Sequence, residues 1–257
     1  PVGEVRPGPT GWATANERNS DRNRGMTLAA KRSSLRIGDR RGRGILLATA
    51  ITLMTITLST TVQAEDAAEA DLARGEVLYA LCTQCHASNG AGNSEVLAPA
   101  IAGMPAWYIE RQLVNFKSGI RGLHAEDTGG LRMYPMSQWL RSEADQKAVS
   151  AYVASLPAAT PEPELTAKGD AARGQGYYAV CSACHGPNGG GNEGMGAPPL
   201  TGQSDWYLYS SIKKYKDSVR GTGKGDPYGA AMIGMVATLP DDNAILDVIA
   251  HIQSLEQ

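Results

Sequence analysis

The chain has 257 residues, 42% of them hydrophobic, and a formal net charge of −2, as expected for one or two globular domains. The charge is uneven, because residues 1–64 carry ten Lys or Arg against four Asp or Glu. Residues 65–257 therefore hold 14 basic and 22 acidic side chains, a net charge of −8. This acidic balance gives no support to a nucleic-acid partner.

The N-terminal segment 1–64 is predicted to be an extension that ends in a signal peptide. Basic residues up to Arg43 precede an apolar run of fourteen residues, 45–58, and small residues then lead to Ala64. A helix that spans a bilayer needs about twenty apolar residues, so the run is short for an anchor. We expect cleavage after Ala64 and export to the periplasm. The alternative is an uncleaved segment that tethers the protein to the membrane.

The rest of the chain is an internal repeat with a period of 99 residues. A shift by this distance aligns the two copies without a gap, and about a third of the matched positions are identical. A connector with three prolines, residues 157–168, separates the copies and should be semi-rigid. We therefore predict two small domains, residues 65–156 and 169–257.

Each copy is predicted to be helical, since no stretch alternates as strands do. Three helices are expected in each copy: 68–84, 105–119 and 142–156 in the first, and 169–183, 204–218 and 241–255 in the second. The last helix of each copy has a start signal. In the first copy it is Ser142 with Asp145 three residues later, and in the second it is Pro240 with Asp241 directly after it.

Glycines at matched positions in the two first helices lie one helical turn before a tyrosine. Gly75 and Tyr79, and likewise Gly174 and Tyr178, share one helix face. A glycine there allows a second helix to approach closely. The predicted fold class is all-α, with two tandem domains.

The motif Cys-x-x-Cys-His occurs once in each copy, as Cys82, Cys85 and His86 and as Cys181, Cys184 and His185. Two cysteines three residues apart share a helix face, so both can form thioethers to the vinyl groups of one porphyrin. The adjacent histidine is then held under the iron as its proximal ligand. Cys-x-x-Cys alone also occurs in redox disulfides and zinc sites. Two copies with histidine, and no other cysteine, favour two covalently bound haem c groups.

Each copy also contains a Met-x-x-Met pair, Met133 with Met136 and Met232 with Met235. The first methionine of each pair follows its histidine by 47 residues, in a Gly- and Pro-containing segment that we expect to be non-helical. A thioether is a soft ligand that raises the potential of a His-ligated haem, although methionines also fill gaps in small cores. The matched spacing favours axial ligation in both copies.

At this point the two halves resemble class I cytochrome c domains, and the tandem resembles the dihaem cytochrome c4 family over about residues 66–257. In that pattern the axial methionine stands seven residues before a leucine that opens the last helix. Met133 lies seven residues before Leu140, and Met232 lies seven residues before Leu239. The resemblance therefore implies the first methionine of each pair as the ligand, with the second as a haem-packing side chain.

The family pattern also has Pro-x-Leu-x-Gly after the histidine, and the proline carbonyl accepts the imidazole N–H. Residues 99–103 and 198–202 match it, with Ile101 in place of leucine in the first copy. The resemblance thus implies that Pro99 and Pro198 orient the two histidines.

Two further pairs of residues are candidates for contact with haem. Arg121 and Arg220 precede the methionines, and they are either solvated charges or partners of haem propionates, which suit a planar guanidinium. Trp107 and Trp206 are expected to pack on the haem edge. The resemblance to cytochrome c4 implies that the propionate edges of the two domains face each other.

Two functions are compatible with these residues. The first is a periplasmic electron carrier between respiratory-chain donors, such as a quinol-oxidising complex or a soluble donor, and a terminal oxidase or reductase. The second is a haem subunit of a periplasmic oxidoreductase, for example a sulfur-compound or flavin-linked dehydrogenase. Catalysis at iron needs an open coordination site, which a methionine closes, so we predict a carrier without catalytic residues.

A basic cluster in the second copy has no counterpart in the first, and it suggests that the second domain docks to an acidic partner. Its members are Lys213, Lys214, Lys216, Arg220 and Lys224.

Overall fold

The structure is a computed structural model, and it describes residues 69–255. The predicted extension and signal peptide, residues 1–64 with cleavage after Ala64, lie outside the described residues. All described residues belong to one compact unit. None of the helices between residues 69 and 255 combines the length and the apolar character that a bilayer-spanning helix requires.

The two repeats are built from helices in the same order. The first repeat contains a helix over 69–79 (α1), Thr83–His86 (α2), Ala106–Lys117 (α3), Thr128–Gln138 (α4) and Glu143–Ser155 (α5). The second contains Ala171–His185 (α6), Asp205–Lys216 (α7), Pro227–Val236 (α8) and Asp242–Ser254 (α9). A short 3₁₀ turn lies in each loop after the histidine, at Ser94–Val96 and Glu193–Met195. Within residues 69–255, β-structure is limited to two isolated bridges, which confirms the all-α fold class.

The middle and last helices begin and end close to the predicted positions. Ser142 and Asp145 form a reciprocal capping box at the start of α5, and the Asp241 carboxylate accepts a hydrogen bond from Ala244 N–H (2.9 Å) at the start of α9. The predicted first helix is continuous in the second repeat but broken in the first. There the chain tightens, because Cys82 N–H donates to the Tyr79 carbonyl three residues back (2.8 Å).

The methionine segments are helical, so the prediction that they are non-helical is wrong. Met133 lies in α4 and Met232 in α8. The two helices are capped by Asp127 and Asp226, whose carboxylates accept hydrogen bonds from the N–H groups three residues later (3.0 and 2.8 Å). Pro227 occupies the first position of α8, where proline is tolerated because that N–H has no helical partner. Glycine and proline therefore did not prevent helix formation here.

The first and last helices of each repeat cross at a glycine, and this confirms the close approach predicted for Gly75 and Gly174. A Cβ atom at Gly75 would lie 2.8 Å from the carbonyl carbon of Ala148 in α5. A Cβ atom at Gly174 would lie 2.5 Å from the carbonyl carbon of Asp247 in α9. Carbon atoms pack at about 3.5–4.0 Å, so only glycine fits at these crossings.

Each crossing is also tied by an ion pair and backed by a hydrophobic core. Arg74 pairs with Asp145, and Arg173 pairs with Asp247 (2.9 Å). The core of the first repeat contains Tyr79, Met104, Ile109, Leu140, Val149 and Val153. The core of the second contains Tyr178, Leu208, Leu239, Ala244, Ile245, Val248, Ile249 and Ile252. The same helix faces are therefore buried in both repeats.

Candidate haem sites

Each repeat contains a cavity beside its Cys-x-x-Cys-His motif. We call the cavity beside His86 the first cavity and the one beside His185 the second cavity. Their volumes are about 810 and 1360 Å³, including space that opens to solvent.

The attachment motifs lie where a helix ends and the chain turns away. Cys181 and Cys184 line the second cavity, whereas Cys82 is half-buried and Cys85 is exposed. None of these four cysteines forms a disulfide, so each keeps its sulfur for a thioether. Tyrosine hydroxyls fix the turn that follows each histidine, with Tyr79 donating to the carbonyl of residue 87 (2.8 Å) and its counterpart to that of residue 186 (2.8 Å).

Both motif histidines are buried, and each ring is held by a hydrogen bond to a proline carbonyl. His86 Nδ1 lies 2.9 Å from the Pro99 carbonyl oxygen, and His185 Nδ1 lies 2.8 Å from that of Pro198. A carbonyl only accepts, so Nδ1 carries the proton in each ring and Nε2 keeps its lone pair. Burial lowers the pKa of both histidines, although the bond to the proline carbonyl opposes this effect. A neutral imidazole with a free Nε2 is the form that binds a metal.

The methionines lie at the same cavities as the histidines. Met133 lines the first cavity, and Met232 and Met235 both line the second. Met136 is 38% exposed and is not among the described residues that line the first cavity. Of the two Met-x-x-Met pairs, one methionine therefore lines the first cavity with His86 and both line the second cavity with His185, while Met104 lines both cavities and Met195 lines the second.

The two arginines meet between the repeats. Arg121 lines the first cavity and donates to Gln112 Oε1 (2.6 Å) and to the Tyr207 hydroxyl (3.1 Å). Arg220 lines the second cavity and donates to Gln112 Oε1 (3.2 Å) and Ser211 Oγ (3.4 Å). The Nε–H groups of both arginines are buried and have no hydrogen-bond partner among the described residues. A buried donor without a partner is costly, so each arginine is suited to an anionic group in its cavity.

The electrostatics of this interface also favour an anion. Burial acts to raise the pKa of Tyr207, but the charges of Arg121 and Arg220 outweigh burial and lower it. These two cations therefore place positive charge in a buried region, and Asp127, whose pKa is lowered in part by Arg121, is a carboxylate near it. Further negative charge would be favourable there. Carboxylates of a cofactor, such as haem propionates, would supply that charge.

The tryptophans do not occupy equivalent places. Trp206 lines the first cavity, which belongs to the other repeat. Trp107 is not among the described residues that line either cavity; its ring packs on Tyr108 and lies 4.9 Å from the guanidinium carbon of Arg111. The role at the haem edge that we expected for Trp107 thus has no support from its position.

Each cavity is partly closed by side chains from the other repeat, which sequence reasoning missed. Met104, Tyr108, Gln112, Gln203 and Tyr207 line both cavities and form the wall between them. The first cavity also receives Lys214 from α7, and the second receives Arg111 from α3. Lys214 aligns with Asn115, and Arg111 aligns with Ser210. A basic residue without a basic counterpart in the other repeat was the sequence signal for a contact between the repeats. This signal does not show which residue the lysine or arginine contacts.

The predicted docking cluster is largely engaged within the protein. Lys214 pairs with Asp127 (2.7 Å), Lys213 pairs with Asp242 (3.0 Å), and Lys216 donates to the Leu239 carbonyl. Arg220 is buried between the repeats. Pairing with carboxylates and burial reduce the positive field that these residues offer to an acidic partner, so the docking role of the cluster stays a prediction with less support.

Comparison with known proteins agrees with this geometry. Residues 72–157 and 171–256, more than half of the chain, match the sequence profile of the cytochrome c family. Cytochrome c4 of Stutzerimonas stutzeri is 31% identical over 211 residues, which cover 79% of this chain and 96% of that protein. The crystal structure of reduced recombinant cytochrome c4 from Pseudomonas stutzeri superposes with a TM-score of 0.55 and 27% identity, covering 71% of this chain and 97% of that one. The chain belongs to the dihaem cytochrome c4 family.

A second kind of relative is named as the electron acceptor of an enzyme. The thiosulfate dehydrogenase electron acceptor of Stutzerimonas stutzeri (strain A1501) is 30% identical over 187 residues, which cover 68% of this chain and 79% of that protein. Both kinds of relative fit an electron-transfer cytochrome. This dihaem cytochrome therefore carries two covalently bound haem c groups, one at Cys82 and Cys85 and one at Cys181 and Cys184.

Proposed function

We propose that this cytochrome is a periplasmic electron carrier with two six-coordinate haems, one held by His86 and Met133 and the other by His185 and Met232. The observation that carries the proposal is that the histidine and methionine of each repeat line the same cavity. Haem with these ligands supplies a reversible one-electron couple of raised potential. Pro99 and Pro198 orient the imidazoles, and Arg121 and Arg220 offer their unpaired Nε–H groups to the propionates.

The same ligands argue for a carrier rather than an enzyme. A substrate must reach an open position on the iron, and a methionine in each cavity closes that position. The relatives agree in kind, since they are named as cytochromes or as an electron acceptor. We propose the periplasm as the location because of the basic and apolar order of residues 26–64.

The ligand assignment is tested by replacing single methionines in the purified dihaem protein. We expect Met133→Ala and Met232→Ala each to remove about half of the weak red absorption of Met-ligated ferric haem, and to lower the potential of one haem only. Met136→Ala is the matched control, since its side chain is exposed, and it should leave the band and both potentials unchanged. Loss of the band in Met136→Ala, with Met133→Ala unaffected, would overturn the assignment.

The electron donor is a second question, and one comparison favours a particular class. Because a thiosulfate dehydrogenase electron acceptor is among the relatives, a sulfur-compound dehydrogenase is a candidate donor beside a quinol-oxidising complex. Downstream we propose a terminal oxidase or reductase. Stopped-flow reduction of the oxidised protein by a thiosulfate dehydrogenase with thiosulfate, compared with reduction by a quinol-oxidising complex, separates the two. The physiological donor should reduce the protein far faster than the other.

A further inference from the structure

One buried ion pair joins the second repeat to the helix that carries a proposed ligand of the first. Lys214 Nζ in α7 donates to Asp127 Oδ1 at 2.7 Å. The Asp127 side chain is almost fully buried, and that of Lys214 is 23% exposed. This pair therefore crosses the boundary between the repeats with little access to water.

Asp127 is also the residue at which α4 begins. Its Oδ1 accepts a hydrogen bond from Gly130 N–H (3.0 Å), and its carbonyl accepts one from Leu131 N–H (2.7 Å). Burial acts to raise the pKa of Asp127, but the hydrogen bond from Lys214 and the charges of Arg121 and Lys214 outweigh burial and lower it. The carboxylate that caps α4 is thus held in its charged form by cations. Met133 lies six residues further along the same helix.

The second repeat has a different contact at this place: Arg111 of α3 lies 4.4 Å from the centroid of the Tyr228 ring, in the first turn of α8, and forms a cation–π contact rather than a buried ion pair. Asp226 caps α8 in the same way, through Gly229 N–H (2.8 Å), but in the described part of the chain it forms no ion pair. The residue of the first repeat that aligns with Lys214 is Asn115, which carries no charge. A buried ion pair to the capping carboxylate therefore runs in one direction only, from α7 of the second repeat to α4 of the first. In the other direction, α3 reaches α8 through Arg111 and the exposed Tyr228 ring.

We propose that Lys214 is a positioning residue for the first haem: it holds the capped start of α4 and so keeps Met133 on the iron. This inference rests on the proposed ligation by Met133. Without Lys214, the buried Asp127 carboxylate loses its compensating charge, and the first turn of α4 opens more often. Methionine ligation of the first haem then depends on the Lys214–Asp127 pair, whereas Met232 lies on α8, whose capping residue Asp226 has no ion pair among the described residues.

The test measures how fast cyanide displaces methionine from the oxidised dihaem protein, because dissociation of the methionine limits this reaction when cyanide is in excess. Lys214→Gln should speed displacement at the first haem by roughly tenfold, since it removes one partner of a largely buried ion pair. The rate at the second haem should not change. Met232→Ala opens the second haem, so the slow phase that remains in that background belongs to the first.

Matched variants separate positioning from a general loss of stability. Lys213→Gln removes the same charge from the neighbouring residue, whose partner Asp242 lies in its own repeat, and it should leave both rates unchanged. Lys214→Arg keeps the cation and should restore the slow rate. Asp127→Asn keeps a capping oxygen but removes the charge, and it should act like Lys214→Gln. Equal acceleration at both haems, or acceleration by Lys213→Gln as large as by Lys214→Gln, would overturn the proposal.

Hydrogen exchange distinguishes failure of this inference from failure of the ligand assignment. The amide of Gly130 should exchange about tenfold faster in Lys214→Gln and not in Lys213→Gln. If Met133→Ala retains both slow cyanide phases, the assignment of Met133 is wrong. If the ligand assignment holds and neither exchange nor cyanide displacement responds to Lys214→Gln, the positioning role is wrong.

Discussion

The crossing of α6 and α9 gives a stability prediction with a matched control on the same helix. Gly174 is buried, and a Cβ atom there would lie 2.5 Å from the carbonyl carbon of Asp247 and would overlap its oxygen. Gly176 lies two residues further along α6, and a Cβ atom there would meet nothing within 4 Å. The substitutions Gly174→Ala and Gly176→Ala add the same methyl group to opposite environments.

The magnitudes follow from the geometry. A carbon–carbon contact needs about 3.5 Å, so α6 must move about 1 Å away from α9 in Gly174→Ala. Overpacking of this kind costs about 1–3 kcal/mol, and the cost should lie near the upper end because the clash is with backbone. Alanine recovers about 1 kcal/mol through its better helix propensity. We therefore expect a net loss of about 2 kcal/mol for Gly174→Ala, whereas Gly176→Ala should gain about 0.5–1 kcal/mol.

The assay is urea unfolding of the dihaem protein followed by far-ultraviolet circular dichroism, with the free energy of unfolding extrapolated to water. Thermal unfolding should agree, with a midpoint about 8–16 °C lower in Gly174→Ala for a domain of this size. Wild-type stability in Gly174→Ala, or equal destabilisation by the two substitutions, would show that the helices do not cross at Gly174. The reasoning from close packing would then fail.

Two further predictions concern the ion pair between the repeats and the N-terminal segment. The folded pKa of Asp127 lies below its ordinary value, so the stability that the pair contributes is present above about pH 4 and is lost as the pH falls through the lowered pKa. The difference in unfolding free energy between wild type and Lys214→Gln should thus be constant near neutral pH and shrink in acid; a constant difference down to the lowest pH at which both fold would contradict this. Mass spectrometry of the exported protein should find an N-terminus directly after Ala64, and recovery of residues 45–58 in membrane fractions would instead indicate a tether.

The helices of each repeat were largely predictable because their signals are local. The capping box of Ser142 and Asp145 is read from four consecutive residues, and the glycine at each helix crossing stands one turn before a tyrosine in both copies. The methionine helices were predicted wrongly because two local signals disagreed. Glycine and proline near Met133 were given more weight than the cap at Asp127, which begins the helix.

The sequence by itself determined the cofactor and its attachment. Two Cys-x-x-Cys-His motifs and a repeat of 99 residues specify two covalent haem groups, because the thioethers and the proximal ligand come from five neighbouring residues. The matched positions of Met133 and Met232 predicted which methionines line the cavities with the histidines, although not that they lie in helices.

Only the tertiary structure decided how the two repeats share their sites. Alignment of the two repeats predicts contacts within each repeat, because matched residues make matched contacts. Contacts between the repeats join residues that do not align with each other. The sequence therefore suggests a docking role for Lys214, which in the structure pairs with Asp127 of the other repeat. It predicts that Trp206 packs on a haem edge, but not that Trp206 lines the cavity of the other repeat. A charged side chain on a helix surface becomes buried only if another part of the fold covers it. For Lys214 that part is the other repeat, which is distant in the sequence.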